Sequence, residues 1–129
     1  MRAIIIDDSK AMRLILGKIL KESGFETIEA GDGREGLEKL TQTGPVDLVL
    51  VDWNMPIMNG LECIKAIRSI PEFKDMWIMM VTTETEMDNM AKAMVAGANE
   101  YVMKPFTKDV ILGKLELMGL LTPGSESSV

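Results

Sequence analysis

Two hydrophobic periodicities alternate along the chain. Short apolar, β-rich runs occupy residues 3–6, 26–30, 46–51, 77–81 and 101–103, each with the length and composition of a strand. Between them, apolar residues recur at spacings of three and four, the signature of a helix with one buried stripe. The first such stripe is Met12, Ile15, Leu16, Ile19 and Leu20, with Ser9 placed to cap it and Gly24 to end it. The second is Gly36, Leu37 and Leu40 after Asp32 and Gly33. The third is Leu61, Ile64, Ile67 and Arg68, stopping before Pro71. The fourth is Met87, Met90, Ala91, Met94 and Val95, stopped by Gly97. The fifth is Val110, Ile111, Leu112, Leu115 and Met118, with Thr107 as N-cap and Gly119 after it.

Five strands alternating with five helices predict repeated βαβ units and a parallel sheet in an α/β fold. The third and fourth runs are apolar almost throughout, as strands are when helices cover both faces of the sheet. The chain has 129 residues, enough for one domain and no second one. Its final residues, 120–129, end in Thr-Pro-Gly-Ser-Glu-Ser-Ser-Val and read as a flexible tail or the start of a linker.

Composition narrows the chemistry. No run of about 20 apolar residues occurs, and the start lacks the pattern of a signal peptide, so no membrane insertion is expected. A lone cysteine, Cys63, cannot form an internal disulfide and fits a cytoplasmic location; on its helix it reads as a small buried hydrophobe. Asp and Glu total 20 against 14 Lys and Arg, a net charge of −6, which argues against direct nucleic-acid binding. The chain has no histidine. That excludes Ser-His-Asp and Cys-His catalysis and every His-ligated metal, and leaves oxygen ligands and hard cations such as magnesium or calcium.

In an open parallel sheet, ligands bind beyond the carboxyl ends of the strands. The residues standing there are Asp7-Asp8 after the first run, Asp52 after the third, Thr82-Thr83-Glu84 after the fourth and Lys104-Pro105 after the fifth. Carboxylates about 4 Å apart repel by about 4 kcal/mol at an effective dielectric near 20, so a cluster of three invites a cation. An aspartate can also attack phosphorus to form an aspartyl phosphate, with Lys104 holding a phosphoryl oxygen and Thr82 donating a hydrogen bond to another. Each residue alone has a plainer reading. Asp7 and Asp8 could be a turn and a cap, Asp52 a strand-ending turn former, the threonines ordinary strand-end residues, and Lys104 a solvated lysine over Phe106. Their coincidence at strand ends favours a site.

The combination of Asp7-Asp8, Asp52 with Met55-Pro56 and Gly60, Thr82, Tyr101, and Lys104-Pro105-Phe106 resembles the receiver domains of two-component response regulators, most of all the single-domain chemotaxis members. The resemblance covers residues 1–119 as one receiver domain. It implies a flavodoxin-like (βα)5 fold with strand order 2-1-3-4-5. It implies that Asp52 accepts a phosphoryl group from a sensor histidine kinase. Magnesium would be held by Asp8, Asp52 and the backbone carbonyl of Asn54, with Asp7 acting through water. Lys104 and the backbone N–H of Thr83 would contact the phosphoryl group, and the Lys104–Pro105 peptide would be cis. Thr82 and Tyr101 would form the switch that changes the surface of the fourth helix, fifth strand and fifth helix.

The implied partners are the kinase, a flagellar motor switch protein or other output protein, and a phosphatase acting on a monomer. The chain would be no enzyme beyond its own phosphorylation and dephosphorylation. The alternative is the receiver of a longer regulator with a DNA-binding or enzymatic output domain. A dehalogenase-like phosphotransferase wants Asp-x-Asp after the first strand, and a flavodoxin wants a hydroxyl- and glycine-rich loop there; Asp7-Asp8-Ser9 fits neither. Two departures from the family stand out: Thr83 in place of Ala or Gly, and Glu86 and Met87 where enteric chemotaxis members carry basic residues. Asn54 and Glu84 match the enteric pair flanking the site. Of the twelve methionines, most are expected in the core, including part of a Met87, Met90 and Met94 stripe; some on the fourth helix suit an adaptable binding surface.

Overall fold

The computed structural model describes residues 1–121. The elements alternate as expected: β1 (Arg2–Ile6), α1 (Lys10–Glu22), β2 (Glu26–Ala30), α2 (Gly33–Thr43), β3 (Leu48–Val51), α3 (Gly60–Arg68), a 3-10 turn (Pro71–Phe73), β4 (Trp77–Thr82), α4 (Met87–Ala96), β5 (Glu100–Met103) and α5 (Lys108–Leu117). All strand pairs are parallel, in the order β2-β1-β3-β4-β5. The flavodoxin-like expectation is met.

The alternation of side chains along each strand divides the core into two layers. Ile4, Ile6, Val49, Val51, Ile78 and Met80 face α2, α3 and α4. Ala3, Ile5, Leu48, Leu50, Met79, Val81 and Val102 face α1 and α5. Burial on both faces is why β3 has no polar position and β4 has none before Thr82. Edge strand β2 is half-covered and keeps Glu26, Thr27 and Glu29.

Caps set several boundaries. The Ser9 hydroxyl accepts from the Met12 N–H at 3.2 Å, and Asn59 and Glu62 close a reciprocal capping box at the start of α3. Thr107 caps α5 through the Val110 N–H at 3.4 Å. α4 has no side-chain cap at its N-terminus.

Several details differ from the expectations, including starts one residue earlier for β1, at Arg2, and β5, at Glu100. β3 begins at Leu48 rather than residue 46, because the Val46 N–H donates to the Met76 sulfur at 3.3 Å instead of joining the ladder. β4 runs one residue further, to Thr82, which pairs with Met103. Leu120 is buried and Leu121 packs on the same core, so the core extends past residue 119; the rest of the expected tail lies outside the described residues. α4 buries only Ala93, and Met87 and Met94 of its expected core stripe are exposed, by 83% and 44%. Met76, Met79, Met80 and Met118 are buried, while Met12, Met55 and Met58 pack against the core.

Candidate functional site

The strand order reverses at β1, which lies between β2 and β3. Ligands of open α/β sheets bind in the crevice beside such a reversal. Register makes the crevice acidic. Ile6 pairs with Val51, so the next residues, Asp7 and Asp52, emerge level with each other. Thr82 pairs with Met103, which brings Lys104 out beside Thr82.

Asp52 is seated from below and above. Its N–H donates to the Ile6 carbonyl at 3.0 Å. Its own carbonyl lies under the first residue of α3, where a Cβ on Gly60 would come within 2.1 Å of the Asp52 oxygen. Only glycine permits that approach, and the Gly60 N–H bonds the Trp53 carbonyl at 2.9 Å.

Asp7 uses all its polar atoms. Its N–H donates to the Ala30 carbonyl at 3.0 Å. Its Oδ1 accepts from the Ser9 N–H at 2.9 Å, its Oδ2 from Lys104 Nζ at 2.8 Å, and its carbonyl from Arg13 Nη1 at 2.6 Å. Lys104 Nζ also reaches Asp52 Oδ2 at 3.2 Å. Burial pulls the Lys104 pKa down, but the hydrogen bond it donates to Asp7 and the charges of Asp52 and Asp7 outweigh it, and the net shift is upward. The lysine is a fixed cation in a site whose carboxylates are 2% and 9% exposed.

One ammonium cannot neutralise three carboxylates. Asp7, Asp8 and Asp52 each offer an oxygen within 4.8 Å of the others. Asp8 is exposed, and Asp52 Oδ1 is buried with no hydrogen-bond partner among the described residues. An orphaned carboxylate oxygen beside two more acids is the donor set that a hard divalent cation takes, so these residues fit a cation. Both Asp7 carboxylate oxygens are already engaged, by the Ser9 N–H and Lys104 Nζ.

The other expected site residues fall around this rim. Thr82 is fully buried, and its hydroxyl accepts from the Glu84 N–H at 3.2 Å. Tyr101 is half-buried and donates to the Glu84 carbonyl at 2.9 Å, so both residues of the expected switch bear on Glu84. Burial, then the charges of Glu84 and Asp52, push the phenol up to about 12. Asn54 and Thr83 are exposed on the loops after β3 and β4. The Lys104–Pro105 peptide is cis. Cys63 stays out of the site: burial and then Asp32 push its thiol up to about 12, and its Sγ lies 3.7 Å from the Gly33 carbonyl.

Two arginines carry roles that periodicity does not reveal. Arg13 belongs to the site through the Asp7 carbonyl. Arg68, which reads in sequence as the end of an apolar stripe, joins α3 to the α4–β5 turn. It donates to the Gly97 carbonyl at 2.9 and 3.1 Å and to Asn99 Oδ1 at 2.9 Å. Gly97 has a φ of +125°, and a Cβ there would strike the Arg68 side chain at 2.6 Å. The only sequence signal for this clamp was a charge at an otherwise apolar position.

Comparison with known proteins identifies the family of the chain. Residues 3–116 match the response regulator receiver domain model. The chemotaxis protein CheY1 of Helicobacter pylori is 41% identical over 119 residues, covering 92% of this chain and 96% of that one. A chemotaxis protein CheY homolog of Campylobacter jejuni is 42% identical over 117 residues, covering 90% of each. Among solved structures, chemotaxis protein CheY4 of Vibrio cholerae superposes with a TM-score of 0.84 at 34% identity, covering 90% of this chain and 96% of that one. With a family model spanning most of its length and relatives of this identity, the chain belongs to the response regulator receiver domain family and is CheY-like within it.

Proposed function

We propose that the chain is a phosphorylation-activated switch in which Asp52 accepts a phosphoryl group from a sensor histidine kinase. The observation that carries this reading is the buried Asp52 Oδ1, without a partner among the described residues, on a carboxylate that Lys104 holds and that offers an oxygen within 4.8 Å of oxygens of Asp7 and Asp8. A carboxylate oxygen of Asp52 attacks phosphorus. The new O–P bond forms as the P–N bond of the donor phosphohistidine breaks, and the electron pair leaves with the imidazole. Asp8, Asp52 and the Asn54 carbonyl would hold magnesium, with Asp7 acting through water. Bound there, magnesium neutralises charge on the transferring group. Lys104 contacts a phosphoryl oxygen as a point charge, and the Thr83 N–H contacts another.

The phosphoryl group brings about −1.5 to −2 charges and three acceptor oxygens. Thr82 turns toward it, giving up the Glu84 N–H, and Tyr101 holds the β4–α4 loop through the Glu84 carbonyl. α4, with one buried residue and no side-chain hydrogen bond capping its N-terminus, is the element of the switching face that a small change can move. Partners read the resulting α4-β5-α5 surface. The names of the similar chemotaxis proteins support a flagellar motor switch protein as the partner, and Met87, Met94 and Val95, all exposed, offer it an apolar surface. Among the described residues no helix is long and apolar enough to cross a membrane, consistent with a cytoplasmic signal carrier.

Acetyl phosphate with magnesium tests this reading. The wild type should gain the mass of one phosphoryl group, and Asp52→Asn should gain none. Equal yield on Asp52→Asn overturns it.

A further inference from the structure

Arg13 lies in the first turns of α1, where side chains tilt back toward the helix N-terminus. That tilt carries its guanidinium over the Asp7-Asp8-Ser9 turn. Nη1 donates to the Asp7 carbonyl at 2.6 Å, while Nε is held by Glu29 Oε1 of β2 at 3.0 Å. The arginine is well covered, with 19% of its side chain exposed. It is therefore a fixed strut between β2 and the acidic turn.

The carbonyl it holds belongs to the peptide plane joining Asp7 to Asp8. Asp7 is pinned at its N–H and at both carboxylate oxygens. Asp8 is exposed, and its direction depends on that shared plane. We propose that Arg13 is a positioning residue of the acidic site: by holding the Asp7 carbonyl it sets the Asp7–Asp8 peptide so that Asp8 faces Asp52 Oδ1, and Glu29 keeps Arg13 in place. This inference rests on the reading of the acidic cluster as a magnesium site.

The guanidinium has a second, opposing effect. A cation near three carboxylates lowers their attraction for magnesium. Removing the charge strengthens magnesium binding, and removing the strut weakens it, so the sign of the change separates the two. The experiment uses Trp53, next to Asp52, in a Trp77→Phe background; Trp77 pairs with Leu48, at the opposite end of the sheet from the site. Magnesium is titrated against Trp53 fluorescence at fixed ionic strength, and thermal unfolding is followed without magnesium.

Arg13→Gln should bind magnesium about tenfold more weakly, the usual scale for losing a group that orients a metal ligand. Arg13→Lys, which can still donate to the Asp7 carbonyl but cannot span it and Glu29 together, should recover part of the loss. Glu29→Ala should weaken binding in the same direction and by less. Magnesium binding in Arg13→Gln that equals or exceeds wild type overturns the proposal, as does a variant set that loses thermal stability with unchanged magnesium affinity. A wild-type background with no magnesium response overturns the metal-site reading itself, and this inference with it.

Discussion

Lys104→Met removes the one cation that the two buried carboxylates share and keeps most of the apolar stem. The ammonium lies 2.8 Å from Asp7 and 3.2 Å from Asp52, with 12% of its side chain exposed. At an effective dielectric near 20, each contact has a gross attraction of about 5 to 6 kcal/mol. Desolvation of all three groups offsets most of it. The upward pKa of Lys104, against the pull of burial, shows that attraction exceeds the lysine's own desolvation. Removing one partner of a buried pair costs about 3–5 kcal/mol because the other charge is stranded. The site opens at a rim, which brings the expectation to about 2–4 kcal/mol at pH 7 without divalent cation. Urea unfolding followed by circular dichroism measures it. Excess magnesium should stabilise Lys104→Met more than it stabilises wild type, since the cluster that magnesium meets is one charge more negative. A variant that unfolds at the wild-type midpoint, with the same response to magnesium, would refute the reasoning.

Other predictions concern the loop, the switch and the thiol. Ile57 has a φ of +68° and is 76% exposed, a backbone strain for a β-branched residue that little burial repays. Ile57→Asn should raise unfolding stability by about 1 kcal/mol, and a lower urea midpoint would contradict this. Tyr101 is the sole tyrosine, so its absorbance titration is clean; it should titrate near 12 in the native protein and near the ordinary tyrosine value of about 10 in denaturant. Tyr101 and Lys104 both hold their protons more tightly when folded. Their contribution to stability is therefore complete below about pH 10 and lost as pH rises through the folded values, visible as a falling urea midpoint on the alkaline side. Native Cys63 should react with a thiol reagent only as fast as the fold opens, and rapid labelling at neutral pH would be inconsistent with its burial and raised pKa.

The fold was readable because burial on both faces leaves an unmistakable apolar run in β3 and β4, and because glycines and caps punctuate the helices. The clustering of the candidate site residues was readable because a parallel sheet gathers strand ends at one rim, so Asp7, Asp8, Asp52, Thr82 and Lys104 needed only to be seen at those ends. Side-chain reach was not readable. Arg13 meets Glu29 sixteen residues away and Arg68 meets Asn99 thirty-one away, distances over which periodicity says nothing. Nor does a helical stripe report how closely its helix docks. Met87, Met90 and Met94 have core spacing, yet α4 rests on Ala93 and leaves two of the three methionines exposed.

The phosphoryl-acceptor role of Asp52 is tested most directly by transfer from a radiolabelled phosphohistidine domain in the presence of magnesium. Label should leave the histidine and reach this chain at one phosphoryl group per molecule, on the peptide containing Asp52, with none transferred to Asp52→Asn. Label that stays on the histidine, or moves equally well to Asp52→Asn, would contradict it.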